Sequence, residues 1–399
     1  MRSPGPPGHE KDCLRLTRIT AHSFRNLSPA PVFFSGGTTV IAGENAQGKT
    51  NLLEAIALVC GQRSFRRARP QDMAAGETGF RVEAVVAREA GAETLAVEWS
   101  PNAGRRFFRA GKEIGFREVS RLAPAIFLSP EHRELLTGSR ASRRRFLDRL
   151  SLFCRAAAGE DLARFERALA SRNALLARTR ERPLGRDAGE MEAWTEEFVL
   201  AGSAVRRHRS LALAEWLSFF SPLCNSAGPE YAAIRVTYPA GEESEEDLRA
   251  AFARLLPAER RRGHCLAGPQ RDDLIWARGA KPLAAAASAG ELSSVAALTK
   301  LAEWHAVARA AGEPPLFGVD EFDAGLSAGW AEDFVEALPP AETVVLTTAS
   351  EPERWRRLAG AAAVVEMRAG RVHERPSAVN DQGVRATARA PAENSRAYL

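Results

Sequence analysis

The chain has 399 residues, of which 45% are hydrophobic and 26% charged. That length suggests two or three packed units, and that mix excludes a collagen, a wholly disordered chain and a disulfide-dense miniprotein. All but five of the 55 basic residues are arginine and the net charge is +5, a balance that permits a phosphate-rich partner without demanding one. The longest apolar stretch, around Leu211 to Cys224, is broken by Glu215 and is too short to cross a bilayer. The opening Pro4-Gly5-Pro6-Pro7-Gly8 lacks the apolar core of a secretion signal. The five cysteines lie far apart with no C-x-x-C pair, which fits reduced thiols and shows no metal site. A cytoplasmic protein with no membrane partner is expected.

In chain order, residues 1–12 read as a flexible arm. Leu14, Leu16 and Ile19 open a β-like segment, and Val40-Ile41 run into a glycine-rich turn. Phe80 to Ala87 and Thr94 to Trp99 alternate as strands and are expected to pair antiparallel. Near residue 129 the pattern turns helical. Ser129-Pro130-Glu131 supplies a hydroxyl cap, a proline that needs no donor and an acid at the positive end of a helix. Leu162, Phe165, Leu169 and Leu176 share one helical face; Trp194, Phe198, Ala201, Val205, Ala212, Trp216 and Phe219 form a second stripe, read as core, with His208 packed beside it. Arg178 to Gly189 is a polar link between the two helices. After Gly263 strands and helices alternate again, and the short apolar runs Leu316–Val319 and Thr343–Thr348 suit buried central strands. The tail from about Ser377 is polar, without period, and expected to be disordered.

Gly43-Glu44-Asn45-Ala46-Gln47-Gly48-Lys49-Thr50 matches G-x-x-x-x-G-K-[ST]. Glycines there let successive backbone N–H groups turn inward around phosphate oxygens, Lys49 can reach the β- and γ-phosphates of ATP, and the Thr50 hydroxyl can ligate Mg²⁺. A strand precedes the motif, and Asn51-Leu52-Leu53-Glu54-Ala55-Ile56 continues it as a helix whose N-terminus favours an anion. Far downstream, Asp320-Glu321 end the apolar run Leu316–Val319. At the carboxyl end of a buried strand an aspartate can hold the Mg²⁺ shell, and a neighbouring glutamate can orient and deprotonate water. The wide gap between the two motifs excludes a small kinase or GTPase and implies one ATPase head split by a helical insertion.

Several further segments resemble the RecF family, a DNA-repair branch of the ATPase class that includes ABC transporters and structural-maintenance-of-chromosomes proteins. They are Leu16-Thr17-Arg18-Ile19 through Phe24-Arg25-Asn26-Leu27, Gly43 to Ile56, Ser64-Phe65-Arg66, and Ser129-Pro130-Glu131 with Gly138-Ser139 and Arg143 to Asp148. Arg172 to Leu176 and Gly268-Pro269-Gln270-Arg271-Asp272-Asp273-Leu274 complete the order. Departures are Gln270 where the family has histidine, Ser288-Ala289-Gly290-Glu291-Leu292 against S-x-G-Q-Q, Ser327 where an acid is usual, and Glu321 where aspartate is common. The resemblance implies that Asn51 belongs to the nucleotide loop and that Ser288 and Gly290 contact a γ-phosphate across an ATP-dependent homodimer.

The resulting expectation is an α/β fold: an ABC-type P-loop head from 13–127 and 264–375, a helical lobe inserted at 128–263, and a tail at 376–399. The implied activity is weak, DNA-stimulated ATP hydrolysis by a clamp on double-stranded DNA at gaps or single-strand/double-strand junctions. RecR- and RecO-like partners are implied for recombinase loading. Arg66, Arg67, Arg140, Arg143 and Arg144 are candidate DNA contacts, with a solvated face paired to Asp148 as the bland reading. Arg271 beside Asp272 and Asp273 reads as a buried ion pair or a switch. No exposed aromatic is interleaved with these arginines along the chain, so backbone reading of duplex is expected. A structural DNA binder with negligible turnover and a defence-type ATPase regulating a separate nuclease remain open alternatives.

Overall fold

A computed structural model describes residues 13–180, 185–239, 244–323, 328–338, 343–349 and 363–374. The expected N-terminal arm, the tail, Pro183 of the polar link, and Gly325-Leu326-Ser327 fall outside them. In chain order the strands are β1 Arg15–His22, β2 Val32–Phe33, β3 Gly37–Ala42, β4 Phe80–Arg88, β5 Gly91–Ser100, β6 Gly104–Arg109, β7 Lys112–Ile114, β8 Ala125–Leu128, β9 Ile234–Thr237, β10 Ile275–Arg278, β11 Lys281–Pro282, β12 Leu316–Val319, β13 Thr343–Thr348, β14 Ala363–Arg368 and β15 Arg371–Glu374. The longer helices are α1 Lys49–Val59, α2 Arg140–Cys154, α3 Ala158–Arg178, α4 Ala188–Ala227, α5 Glu245–Arg262, α6 Ala289–Ala311 and α7 Ala328–Glu336.

The central sheet runs β15-β14-β3-β13-β12-β8, parallel from β14 to β8. Its strands read as continuous apolar runs because both faces are covered. Along β13, Val344 and Leu346 face one core while Val345 faces the other. β3 and β12 are not neighbours: β13 lies between them, in register through Thr347 opposite Ile41 and Val319 opposite Leu346. The ends of these three strands therefore carry the glycine loop, the paired acids and two threonines side by side.

The second sheet, β2-β1-β4-β5-β6-β7, is antiparallel throughout, and β4 meets β5 from Phe80 opposite Trp99 to Arg88 opposite Gly91, as the alternation predicts. Helix α1 is sandwiched between the two sheets, with Leu52, Leu53 and Ile56 in the same core as Leu16, Val82, Val97, Ile41 and Val345.

The helical region divides differently from the boundaries expected at 128 and 263. A small core of Phe165, Leu176, Phe198, Val205, Phe252 and Cys265 joins α3, the first half of α4, and α5. The second half of α4, with Ala212, Trp216 and Phe220, instead joins α2, α6 and the central sheet. Both stripes expected at helical spacing are thus core, and α4 passes from one body to the other. Strand β9, inside the expected lobe, pairs with β10 outside it in a third sheet, because Trp276 and Val236 bury into the same core as Trp216. Ser129 caps a helical start, as expected: the 3₁₀ turn Pro130–Arg133 runs directly into a short α-helix, Glu134–Thr137.

Candidate nucleotide site

The loop after β3 can form only with glycine at its two fixed positions. Gly43 has φ +154° and a Cβ there would lie 2.5 Å from the Met367 carbonyl oxygen; Gly48 has φ +109° and faces Asn26 Oδ1 at 3.0 Å. Gly48 is also the N-cap of α1, where no side chain caps the helix and no acid occupies the first turn. The helix therefore starts with uncapped N–H groups and the positive end of its dipole turned to the loop. That is a cradle for an anion.

Lys49 is 4% exposed, yet its Nζ donates only to the carbonyls of Gly43 at 2.6 Å and Glu44 at 2.7 Å. Burial holds its pKa below the usual lysine value, opposed by the nearby charges of Glu321, Asp320 and Asp323. Thr50 Oγ1 donates to Asp320 Oδ1 at 3.0 Å, and Thr347 Oγ1 donates to the same oxygen at 2.7 Å. The Glu321 N–H donates to Thr347 Oγ1 at 2.9 Å, with Glu321 held at φ +46°. Burial pushes the Asp320 carboxyl up to about 6, with hydrogen bonds from Thr347 and Thr50 working against the rise. A hydroxyl, a buried carboxylate and an uncapped helix start suit a hard cation bridging phosphate oxygens. The residues present fit Mg²⁺–ATP: Gly43 to Lys49 would hold phosphates, and Thr50 with Asp320 would hold the cation.

The structure gathers Lys49, Thr50, Asp320 and Glu321 as the sequence predicts, and adds residues that it did not single out. Thr347 and Thr348 end β13 next to the acids, and Thr348 Oγ1 donates to Asp323 Oδ2 at 2.7 Å. Two hydroxyls ending an apolar run were the available signal. Asn26 donates from Nδ2 to the Ala46 carbonyl at 3.3 Å and accepts from Asn51 Nδ2 at 2.7 Å. The turn after β14 closes the other side. Ala369 N–H donates to Gln47 Oε1 at 2.7 Å, and Gly370 N–H to the Gln47 carbonyl at 2.8 Å. Beneath the loop, buried Glu54 accepts from Arg25 Nε at 2.5 Å and from the Ser64 hydroxyl, which ties the Arg25-Asn26 turn and the Ser64 segment to α1.

Ser288 and Gly290 are exposed at the start of α6. Ser288 caps its own helix in a reciprocal box with Glu291, and Glu291 pairs with Arg278 Nη1 at 2.7 Å.

The arginines sort by partner. Arg66 is exposed and donates to Asn51 Oδ1 at 3.1 Å; Arg67 pairs with Glu134; Arg140, 70% exposed, lies 3.3 Å from Asp273. Arg143 makes two bonds to Asp273, at 2.6 and 3.0 Å, and Arg144 donates to the Asp272 carbonyl at 3.0 Å. Asp148, expected to serve this face, accepts instead from Arg209 at 2.7 Å. The expected Arg271–Asp272 pair does not form: Arg271 is exposed and buried Asp272 is held by Arg206 at 2.7 and 3.0 Å.

A family model described as AAA domain matches residues 18–121. The DNA replication and repair protein RecF of Deinococcus deserti is 30% identical over 377 residues, covering 92% of this chain and 98% of the relative. RecF of Gloeobacter violaceus is 32% identical, covering 84% of this chain and 92% of the relative. Among solved structures, the recombination mediator protein RecF with ATP superposes with a TM-score of 0.83 at 22% identity, covering 92% of this chain and all of that one. An Smc head bound to the winged-helix domain of ScpA superposes more loosely, with a TM-score of 0.50 at 15% identity over 90% of this chain. The RecF matches span most of the chain, and the chain belongs to the RecF family of DNA replication and repair proteins.

Proposed function

We propose that this chain is an ATP-gated clamp on DNA in recombinational repair and replication restart. The observation that carries the reading is the hydrogen-bonded run Thr50–Asp320–Thr347–Glu321 beneath an uncapped helix start. In it, Lys49 exchanges two loop carbonyls for the β- and γ-phosphates, and Thr50 with Asp320 holds Mg²⁺. Bound Mg²⁺–ATP supplies the leaving group and the counter-charge. Glu321 orients a water and takes its proton. Ser288 and Gly290, exposed at the start of α6, serve the nucleotide of a second copy, so that ATP drives dimerisation.

The gripped substrate is double-stranded DNA at gaps or single-strand/double-strand junctions, and RecR- and RecO-like proteins are the partners in loading recombinase. Support comes from the family and from the RecFOR pathway named for the structural relative. Phosphate contact falls first to Arg66 and Arg140: Arg66 is exposed and bonds the neutral Asn51, and Arg140 is 70% exposed. Arg67 would have to leave Glu134, and Arg143 and Arg144 would have to leave Asp273 and the Asp272 carbonyl.

Glu321→Gln tests this. It should bind ATP and dimerise normally but lose hydrolysis, and should leave gapped duplex more slowly than wild type in ATP. Equal dissociation rates with hydrolysis abolished would show that turnover does not control DNA release.

A further inference from the structure

The paired acids leave β12 by a sharp turn. Asp320 still pairs as a strand residue, its N–H donating to the Leu128 carbonyl of β8 at 2.8 Å. Glu321 follows with φ +46°, in the left-handed region, where a residue with a Cβ stays only when its surroundings hold it. What holds it is Thr347. The Thr347 hydroxyl accepts from the Glu321 N–H at 2.9 Å and donates to Asp320 Oδ1 at 2.7 Å, and the Thr347 carbonyl accepts from the Phe322 N–H at 3.2 Å. One residue of β13 thus meets three successive residues beyond β12.

A hydroxyl suits this place because it offers a donor and an acceptor at a single atom. Thr347 is 0% exposed, so water does not replace either bond. Branching at its Cβ narrows the choice of χ1, which keeps the hydroxyl between its two partners. The position follows from strand order: β13 lies between β3 and β12, with Thr347 opposite Ile41 and Leu346 opposite Val319. The end of this middle strand therefore meets the acids at their root, whereas Thr50 reaches the same Asp320 oxygen from helix α1, at 3.0 Å.

We propose that Thr347 is a positioning residue for ATP hydrolysis: its hydroxyl fixes the backbone under Glu321, and so the direction of that carboxylate, and ties it to the Asp320 oxygen. A reacting group misplaced by about 1 Å can cost about 100-fold in rate, so a turn held in a costly conformation is worth a dedicated anchor. The inference rests on the reading of Glu321 as the group that activates water. To that reading it adds the residue that makes the two acids one unit.

The test compares kcat with Mg²⁺–ATP affinity by calorimetry, both on the full chain. Thr347→Val keeps the branched Cβ that suits a strand and removes the hydroxyl, so the Glu321 N–H loses its acceptor. Its kcat should fall about 100-fold while affinity stays within about threefold. Thr347→Ser restores the hydroxyl and should recover kcat to within about fivefold of wild type. Added to Glu321→Gln, Thr347→Val should slow hydrolysis by less than about threefold more, because the carboxylate being positioned is already gone. Thr347→Ala lacks the same hydroxyl and replaces the valine variant, with the same expected outcomes, if that one does not fold. A kcat near wild type without the hydroxyl, a serine variant as slow as valine, or a full second loss on top of Glu321→Gln would each overturn the proposal. So would a loss of affinity as large as the loss of kcat, the mark of a residue that only packs. Failure of the underlying reading looks different: Glu321→Gln alone would hydrolyse ATP at the normal rate, and the role of Thr347 would fall with it.

Discussion

Two buried cations show how differently one chain treats charge. Arg172, in the helical core, is 1% exposed and fully engaged: Glu259 Oε2 at 2.7 Å, Thr195 Oγ1 at 3.0 Å, Cys265 Sγ at 3.0 Å, and the Phe252 ring 4.1 Å beneath it. Lys49 is almost as buried and has only two carbonyls of its own loop. A carboxylate closes off the first charge, whereas neutral loop oxygens hold the second with three acids nearby. The difference lies in the partner and not in the depth of burial.

Breaking the closed pair should give the largest effect. Glu259→Ala leaves a buried guanidinium without its carboxylate and should cost about 3–5 kcal/mol, read as a fall in the urea midpoint. Lys49→Ala should do the reverse: ATP affinity by calorimetry falls about 100-fold, roughly 2.8 kcal/mol, while the urea midpoint barely moves. A destabilised Lys49→Ala protein with normal ATP affinity would erase the contrast.

Gly370→Ala probes the clasp on the loop. Its φ of +75° and a Cβ 1.9 Å from the Asn26 carbonyl oxygen force the turn away from Gln47. A loss of roughly 2 kcal/mol in thermal stability, with weaker ATP binding, is expected. The smallest effect sharpens the same rule on DNA. Arg66→Ala with Arg140→Ala should flatten the salt dependence of duplex binding by about two units. Arg143→Ala with Arg144→Ala should change it by less than one and lower stability instead, because Asp273 loses its two-bond partner.

How much of this could be read in the sequence follows from the range of each signal. The glycine loop, the strand before it and the acids ending an apolar run are local, and they stand where their spacing puts them. So does the β4–β5 pairing, written in two adjacent alternating segments. The arginine partners were not legible. Arg209 finds Asp148 and Arg206 finds Asp272 across more than 60 residues, whereas adjacency suggested Arg271 for Asp272. The division of the helical region was hidden because α4 keeps one apolar stripe while changing the core that it faces. In the sequence, Thr347 and Thr348 read only as part of a buried central strand. Their meaning depends on β13 lying between β3 and β12, a strand order that no local pattern records.

Helix α4 has a mechanical consequence. Its 40 residues make a rod about 60 Å long, clamped at one end among α2, α6 and the central sheet and at the other among α3 and α5. The clamp at the head end includes Trp216, whose indole N–H donates to the Thr299 carbonyl of α6 at 3.1 Å. Over that length a pivot of one degree sweeps the far tip by about 1 Å, comparable to the shifts that repack helix contacts. A disturbance at the first residues of α6, too slight to register there, would arrive at the outer helices as a change of position.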